Sequence, residues 1–323
     1  MIKLCIIGAG FGYSVHIPAV LKTKKFIIVG IISQKKIKGF KTFNTIDLFL
    51  ESQSVDIFLI ATPPHTHLNI AKKIIHLKKP IYFEKPFCKN YTEAKELNSL
   101  LKLNEVKHCI GYQFRYEIAF MKLKELILKC RIGEIKRINV DWLVAKEKRK
   151  DFSWKNHSKY GAGIELNYLT HCIDYLKCLT NFKKLKIYSN LNSNNLTQHK
   201  VTDSIDLILI LDKNIIVNIR ICNNLNFSIG HKIQVLGENS NAELFWEYPF
   251  DESSTYLKVC NNRKIHYKLK RDDSLNVSDT RIKAIQFLWE DFYNVLKNKK
   301  NTNVPNAEQA LEIHKHIKEI VPL

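Results

Sequence analysis

Five apolar runs recur in the first 120 residues: Lys3–Ile7, Phe26–Ile32, Val55–Thr62, Pro80–Glu84 and Val106–Tyr112. Strands that are apolar throughout leave neither face to water, so they predict a parallel sheet covered by helices on both sides. The stretches "THLNIAKKIIHLK" and "YTEAKELNSLLKLN" between them carry apolar residues at helical spacing, and Phe11–Lys22 predicts the first helix. That alternation is a doubly wound α/β domain. The rhythm changes after about residue 133, where "GEIKRINVDWLVA" starts a strand and Ile164–Leu179 reads as a helix. In "NIIVNIRIC", Ile215, Val217, Ile219 and Ile221 share one face, while Asn218 and Arg220 lie on the other. Strand candidates follow at "HKIQVLG", "NAELFWEY", "TYLKVCN" and "RKIHYKLK", and short turns between them predict a largely antiparallel sheet. Helices are predicted over Asp279–Leu296 and Asn306–Val321, and a surface loop over Asn190–Asn195. The expected division is residues 1–120 and 121–323, with the last helix able to pack back on the first domain.

A length of 323 residues suits two domains of ordinary size. The net charge of +20 raises nucleic-acid binding, because clustered cations neutralise phosphates. Only eight of the 51 basic residues are Arg, however, and the Lys residues are scattered through every predicted element. Abundant Lys, Asn and Ile match the bias of an AT-rich genome, and no nucleic-acid-binding motif stands out. No specific nucleic-acid partner is expected. The longest apolar run, "FIIVGII", is too short to span a bilayer, so neither a membrane partner nor any address but the cytoplasm is expected. The eight Cys form no CxxC pair, and neither disulfides nor a metal site is expected.

"IIGAGFGYSVHIPAV" joins the first strand to the first helix. Gly8 and Gly10 occupy the first two positions of G-x-G-x-x-G, with Gly12 one residue early for the third. Such glycines let the backbone approach a pyrophosphate at the helix N-terminus, and Phe11 stands among them. A carboxylate after the second strand would bind the ribose of NAD. The chain instead reads "IISQKK", and Ser33 with Lys35 and Lys36 suits the 2′-phosphate of NADP, NAD remaining possible. "ATPPHTH" places Thr62, Pro63 and His67 at the carboxyl edge of the sheet as a wall of the cofactor site. "PIYFEKPF" brings an acid and a base, Glu84 and Lys85, to that same edge.

Together with "GYQFRY", "GEIKRINVDW" and "GAGIELNYLTHCIDYL", these segments make nearly the whole chain resemble the Gfo/Idh/MocA family of nicotinamide-dependent sugar oxidoreductases. The resemblance implies a Rossmann domain and a second domain with an open-faced, mainly antiparallel sheet. It places Lys85 between nicotinamide and substrate as a catalytic residue, oriented or balanced by Glu84. It matches His171 to a catalytic proton carrier and Asp174 to a later acid of the family pattern. Asn167 stands where the family commonly has Asp, and Glu165, two residues away, faces about 200° round a helix. Arg115, Trp154, Asn167 and His171 are expected near the substrate with Lys85; Tyr112 and Lys155 can add an aromatic surface and a charge. Aromatic packing explains the tyrosine equally well. The implied activity is hydride transfer between nicotinamide and a hydroxyl or carbonyl carbon of a sugar, cyclitol or related polyol. A small carbohydrate-like substrate and a homodimer or larger assembly are also implied. Two rivals stand beside it: a glycosidase using NAD transiently, and a non-catalytic nicotinamide-nucleotide sensor.

Overall fold

The computed structural model describes residues 1–146, 153–194, 201–248, 255–261, 264–270, 281–299 and 303–321. The chain forms two compact units, Met1–Gln113 with Arg281–Lys315, and Phe114–Thr280 with His316–Leu323. The boundary expected at residue 120 thus lies at Gln113, and the returning segment is longer than a last helix alone.

In the first unit β1 (Ile2–Ile7), β2 (Phe26–Ile32), β3 (Thr42–Phe43), β4 (Ile57–Ile60), β5 (Ile81–Phe83) and β6 (His108–Ile110) form one parallel sheet. Its order is β3-β2-β1-β4-β5-β6, the doubly wound arrangement whose ligand site lies at the carboxyl ends of the strands. β4 and β5 are buried at every residue, as strands covered on both faces must be. The helices are α1 (Ile17–Thr23), α2 (Ile46–Ser52), α3 (His67–Ile74) and α4 (Tyr91–Leu103). Thr45 and Asn90 cap α2 and α4 by accepting from Leu48 N–H and Glu93 N–H. The first helix departs from expectation. Gly12–His16 is a π turn closed by Ile17 N–H onto the Gly12 carbonyl, and the α-helix starts only at Ile17. Pro18 has no N–H to donate, so the regular ladder cannot run through this junction. β3 and α2 carry too little apolar periodicity to be read from the sequence.

The second unit holds α5 (Ile118–Leu128), β7 (Ile135–Ala145), α6 (Thr170–Thr180), β8 (Leu185–Asn194), β9 (Thr202–Leu211), β10 (Ile216–Leu225), β11 (Gly230–Gly237), β12 (Asn241–Trp246), β13 (Thr255–Asn261) and β14 (Lys264–Lys270). Its eight strands run β14-β13-β12-β11-β7-β10-β9-β8 and are antiparallel except for the β7–β10 pair. Residues 190–194, expected as loop, belong to β8 and pair with β9; residue 195 lies outside the described residues. One face of the sheet is core. Ile138, Val140, Trp142 and Val144 of β7 are buried, as are Val217, Ile219 and Ile221 of β10. On that face His231 stacks between Trp142 and Trp246, with ring centroids 4.0 and 4.7 Å away. Burial pulls its imidazole down to about 3. The opposite face is polar: Asn139 Nδ2 donates to Gln234 and Asn218 Nδ2 to Asn139, while Arg220 pairs with Asp141 at 2.6 Å. The helix from Glu165 again opens with a π turn, Glu165–Leu169, before α6 begins at Thr170. Among the described residues no helix is long and apolar enough to cross a membrane. The last two helices are α7 (Arg281–Leu296) and α8 (Ala307–Ile320); residues 279 and 280 of the expected first one lie outside the described residues.

The period-2 alternation of β10 sets a sharp contrast between neighbours. Ile219→Ala removes a fully buried side chain and is expected to cost about 2–5 kcal/mol. Arg220→Ala removes an exposed ion pair and is expected to cost no more than about 1 kcal/mol. Urea unfolding of the two variants measures both.

Candidate active site

The candidate residues of the first unit lie in the segments that follow the strand ends. Gly8 succeeds β1 with a φ of 105°, and a Cβ there would lie 2.6 Å from the Ala61 carbonyl oxygen. Only glycine fits. Nothing lies within 4 Å of a Cβ built on Gly10, so a pyrophosphate can come up to the main chain there. Phe11 and Gly12 lead into the π turn, and the Arg281 guanidinium of α7 lies over the Phe11 ring at 5.2 Å. These residues fit a dinucleotide. Ser33 succeeds β2; its N–H donates to the Phe43 carbonyl, and its Oγ accepts from Lys35 N–H at 3.1 Å. The Lys35 side chain is exposed, and no carboxylate stands in this turn.

Thr62 and Pro63 succeed β4. Thr66 Oγ1 donates to the Pro63 carbonyl at 2.7 Å, so Thr62 Oγ1 is left to donate to Thr66. His67 is turned inward: Nε2 lies 2.8 Å from the Thr62 carbonyl and Nδ1 3.0 Å from the Phe87 carbonyl. Burial lowers its pKa, against the opposing pull of those two carbonyls. A neutral imidazole has one N–H and donates to one of these carbonyls, and the ring sits between the loop after β4 and the loop after β5. β5 ends in Glu84, which is buried, and Lys85, which is half-buried and precedes a cis peptide bond to Pro86. Glu84 Oε2 accepts from the N–H of Lys85 at 3.1 Å, and Oε1 lies 2.7 Å from His16 Nε2. Trp289 Nε1–H donates to His16 Nδ1 at 3.0 Å. His16 and Trp289 carry no local sequence signal, being 273 residues apart.

In the second unit Arg115 and Asp174 form a buried ion pair. Nε donates to both carboxylate oxygens at 3.1 and 3.0 Å, and Nη2 to Oδ1 at 2.5 Å. Burial works against the charge on each partner, lowering the arginine and raising the aspartate. A guanidinium stays charged in proteins, so the pair is ionic, and its attraction holds the Arg115 pKa above the ordinary value. Arg115 was expected to turn its donor fork toward substrate. A buried cation needs a counter-charge, and this one spends its fork on Asp174. Tyr112, offered as a substrate surface, is fully buried in the first unit. Trp154 is half-buried at the start of a short 3₁₀ turn.

His171 packs edge-on against Phe114 at 4.8 Å and is 2% exposed. Asn167 donates both its N–H and its side-chain amide to the Gly163 carbonyl, at 3.1 and 2.8 Å. The amide is thereby committed to its own helix. Glu165 is also buried, with Oε2 unpartnered among the described residues. Burial pushes its carboxyl up to about 7, while its own main chain and Thr202 pull the other way. The described residues contain no cluster of three His, Cys, Asp or Glu able to hold a metal.

A doubly wound sheet with a glycine cradle, followed by a large, mainly antiparallel sheet, is a two-domain architecture built to bind a dinucleotide. Residues 2–112 match the oxidoreductase family with NAD-binding Rossmann fold, and residues 120–243 match the GFO/IDH/MocA C-terminal domain. The chain belongs to the GFO/IDH/MocA family, and it is an NAD(P)-dependent oxidoreductase. An uncharacterized oxidoreductase of Synechocystis is 26% identical over 75% of this chain and 71% of its own. The glucose-6-phosphate 3-dehydrogenase of Bacillus subtilis is 25% identical over 76% of this chain and 77% of its own. The solved structure of the transcriptional regulator Gal80p from Kluyveromyces lactis superposes with a TM-score of 0.82, covering 99% of this chain and 91% of that one, at 16% identity. That likeness is one of fold.

Glu165 makes the stability of the second unit depend on pH. Its folded pKa lies above the unfolded one, so the folded state holds the extra proton between about pH 4.5 and 7 and loses stability as pH rises through that window. The loss is on the order of 3 kcal/mol. Glu165→Gln is expected to flatten this dependence and to raise stability at about pH 8 more than at about pH 5; urea midpoints at both values measure it.

Proposed function

We propose that the chain transfers a hydride between a nicotinamide cofactor and a hydroxyl or carbonyl carbon of a sugar, cyclitol or related polyol. Lys85 carries the reading. It follows β5 at the strand ends that also present Gly8, Gly10, Ser33 and Thr62, and the cofactor would supply a hydride donor or acceptor there. Lys85 polarises the reacting oxygen with its ammonium, and His171 gives or takes the proton. The similarity to the glucose-6-phosphate 3-dehydrogenase of Bacillus subtilis supports a polyol or its phosphate as substrate. The homo-oligomer implied by the family resemblance is part of the same proposal.

For the cofactor we favour NADP over NAD. The turn after β2 presents Ser33 and the exposed Lys35 and Lys36 and has no acid to receive a ribose 2′-hydroxyl. Ser33→Asp would set a carboxylate against the 2′-phosphate and is expected to reverse the preference. Calorimetric titration of both nucleotides tests this, and a wild type that prefers NAD overturns the assignment.

Asn167 favours a second reading, a nicotinamide-nucleotide sensor. Its amide is bound to the Gly163 carbonyl and offers no carboxylate to His171. Turnover decides between the readings. Lys85→Ala is expected to cost at least as much as His171→Ala, each within ~10²–10⁴-fold. With a carboxylate restored in Asn167→Asp, activity should persist with an altered pH profile. A screen of sugars, cyclitols and their phosphates that leaves the nicotinamide absorbance unchanged would favour the sensor.

A further inference from the structure

The reading of Lys85 as the reacting lysine leaves open what holds its main chain in place. The neighbouring Glu84 carboxylate is buried at 6% exposure and is gripped at both oxygens, Oε1 by His16 Nε2 and Oε2 by Lys85 N–H. A third wall is close. A Cβ built on Gly111, just past β6, would stand 2.6 Å from Oε1, so residue 111 has to be glycine while the carboxylate sits where it does.

The tautomer of His16 follows from Trp289. An indole N–H can only donate, and it points at His16 Nδ1 from 3.0 Å. Nδ1 must therefore be the bare nitrogen, the ring proton sits on Nε2, and Nε2–H donates to Glu84. The partners are held from all sides: His16 meets Phe11 edge-on at 5.5 Å and Tyr82 at 5.1 Å, and Tyr82 stacks on Trp289 at 4.6 Å. All three inner rings, His16, Tyr82 and Trp289, are fully buried. In such a dry setting each hydrogen bond is strengthened, and an unmade one is costly.

We propose that Trp289 and His16 form a hydrogen-bond relay of fixed tautomer that aims the Glu84 carboxylate at the main chain of Lys85, making both positioning residues for that lysine. The direction of each bond is fixed at both ends: the indole can only donate to Nδ1, and the Glu84 carboxylate can only accept, from Nε2–H and from the Lys85 N–H. Without the indole N–H the imidazole keeps one of its two anchors, so the ring and the Glu84 carboxylate it holds lose their fixed position. The π turn serves the relay, since it sets His16 inward at the end of the glycine loop.

The test uses the full-length chain and needs neither cofactor nor substrate. In two-bond proton–nitrogen spectra of the imidazoles, assigned by the signal lost in His16→Gln, wild-type His16 should show a bare Nδ1 and a protonated Nε2. A protonated Nδ1 in the wild type overturns the relay without recourse to any variant. The effect on Lys85 is read as its rate of reductive methylation at fixed pH, followed by peptide mass spectrometry with the exposed Lys72 as control. Trp289→Phe and His16→Phe should shift the Lys85 rate by about three- to tenfold, the worth of one lost hydrogen bond, and leave Lys72 unchanged. His16→Gln, whose amide can both donate to Glu84 and accept from Trp289, should stay near wild type. A Lys85 rate insensitive to His16→Phe overturns the positioning role. Failure of every polyol to react would count against the hydride-transfer reading and leave these outcomes standing.

Discussion

Burial of the parallel sheet on both faces is the constraint on which the first unit depends. β4 and β5 have no exposed residue, so no polar side chain can stand within them without losing water and gaining nothing. Polar chemistry is therefore pushed to the residues that follow each strand. Gly8 follows β1, Ser33 follows β2, Glu84 and Lys85 follow β5, and Gly111 follows β6. All strands run the same way, and their ends therefore lie along one edge. The site is a by-product of how the core is built, and loops such as the one tied down by His67 then give it shape.

The second unit answers a different constraint. Its sheet is dry on one face only, and the alternation along β7 and β10 assigns each residue to core or water. Two of the polar groups that enter this core are specifically accommodated. Arg115 is paired through three hydrogen bonds with Asp174, and His231 is kept neutral between two tryptophans. Glu165 is the costly one: its carboxyl has a bare oxygen and a pKa pushed up to about 7. Buried groups with shifted pKa values often mark functional sites, and Glu165 lies six residues before His171 on the same helical segment.

The sequence makes five of the six strands of the first sheet legible because their apolar runs leave a continuous signal, and β2 runs from Phe26 to Ile32 as expected. β10 is legible through its period of two. β8 is not, because Asn-rich composition masks a strand held by pairing with β9. Both π turns are invisible to a helical pattern, since one extra residue in a turn shifts the periodicity without breaking it. At the site, single residues next to strand ends could be named, whereas partnerships could not. Arg115 and Asp174 lie 59 residues apart, and His16 and Glu84 lie 68 apart. Spacing along the chain gives no hint of which polar groups meet, and so neither the Arg115–Asp174 pair nor the His16–Glu84 contact could be read from it.

Trp289 belongs to α7, yet it completes the packing of a sheet whose strands are finished by residue 110. A chain emerging from the ribosome has therefore made every strand of the nucleotide fold long before it can supply the indole that the His16 imidazole awaits. Through the synthesis of some 180 further residues, at about 5–20 residues per second, the nascent first unit carries a histidine and a buried acid without their anchor. The sheet can form early, but the strand end bearing Glu84 and Lys85 is finished only once α7 has been made.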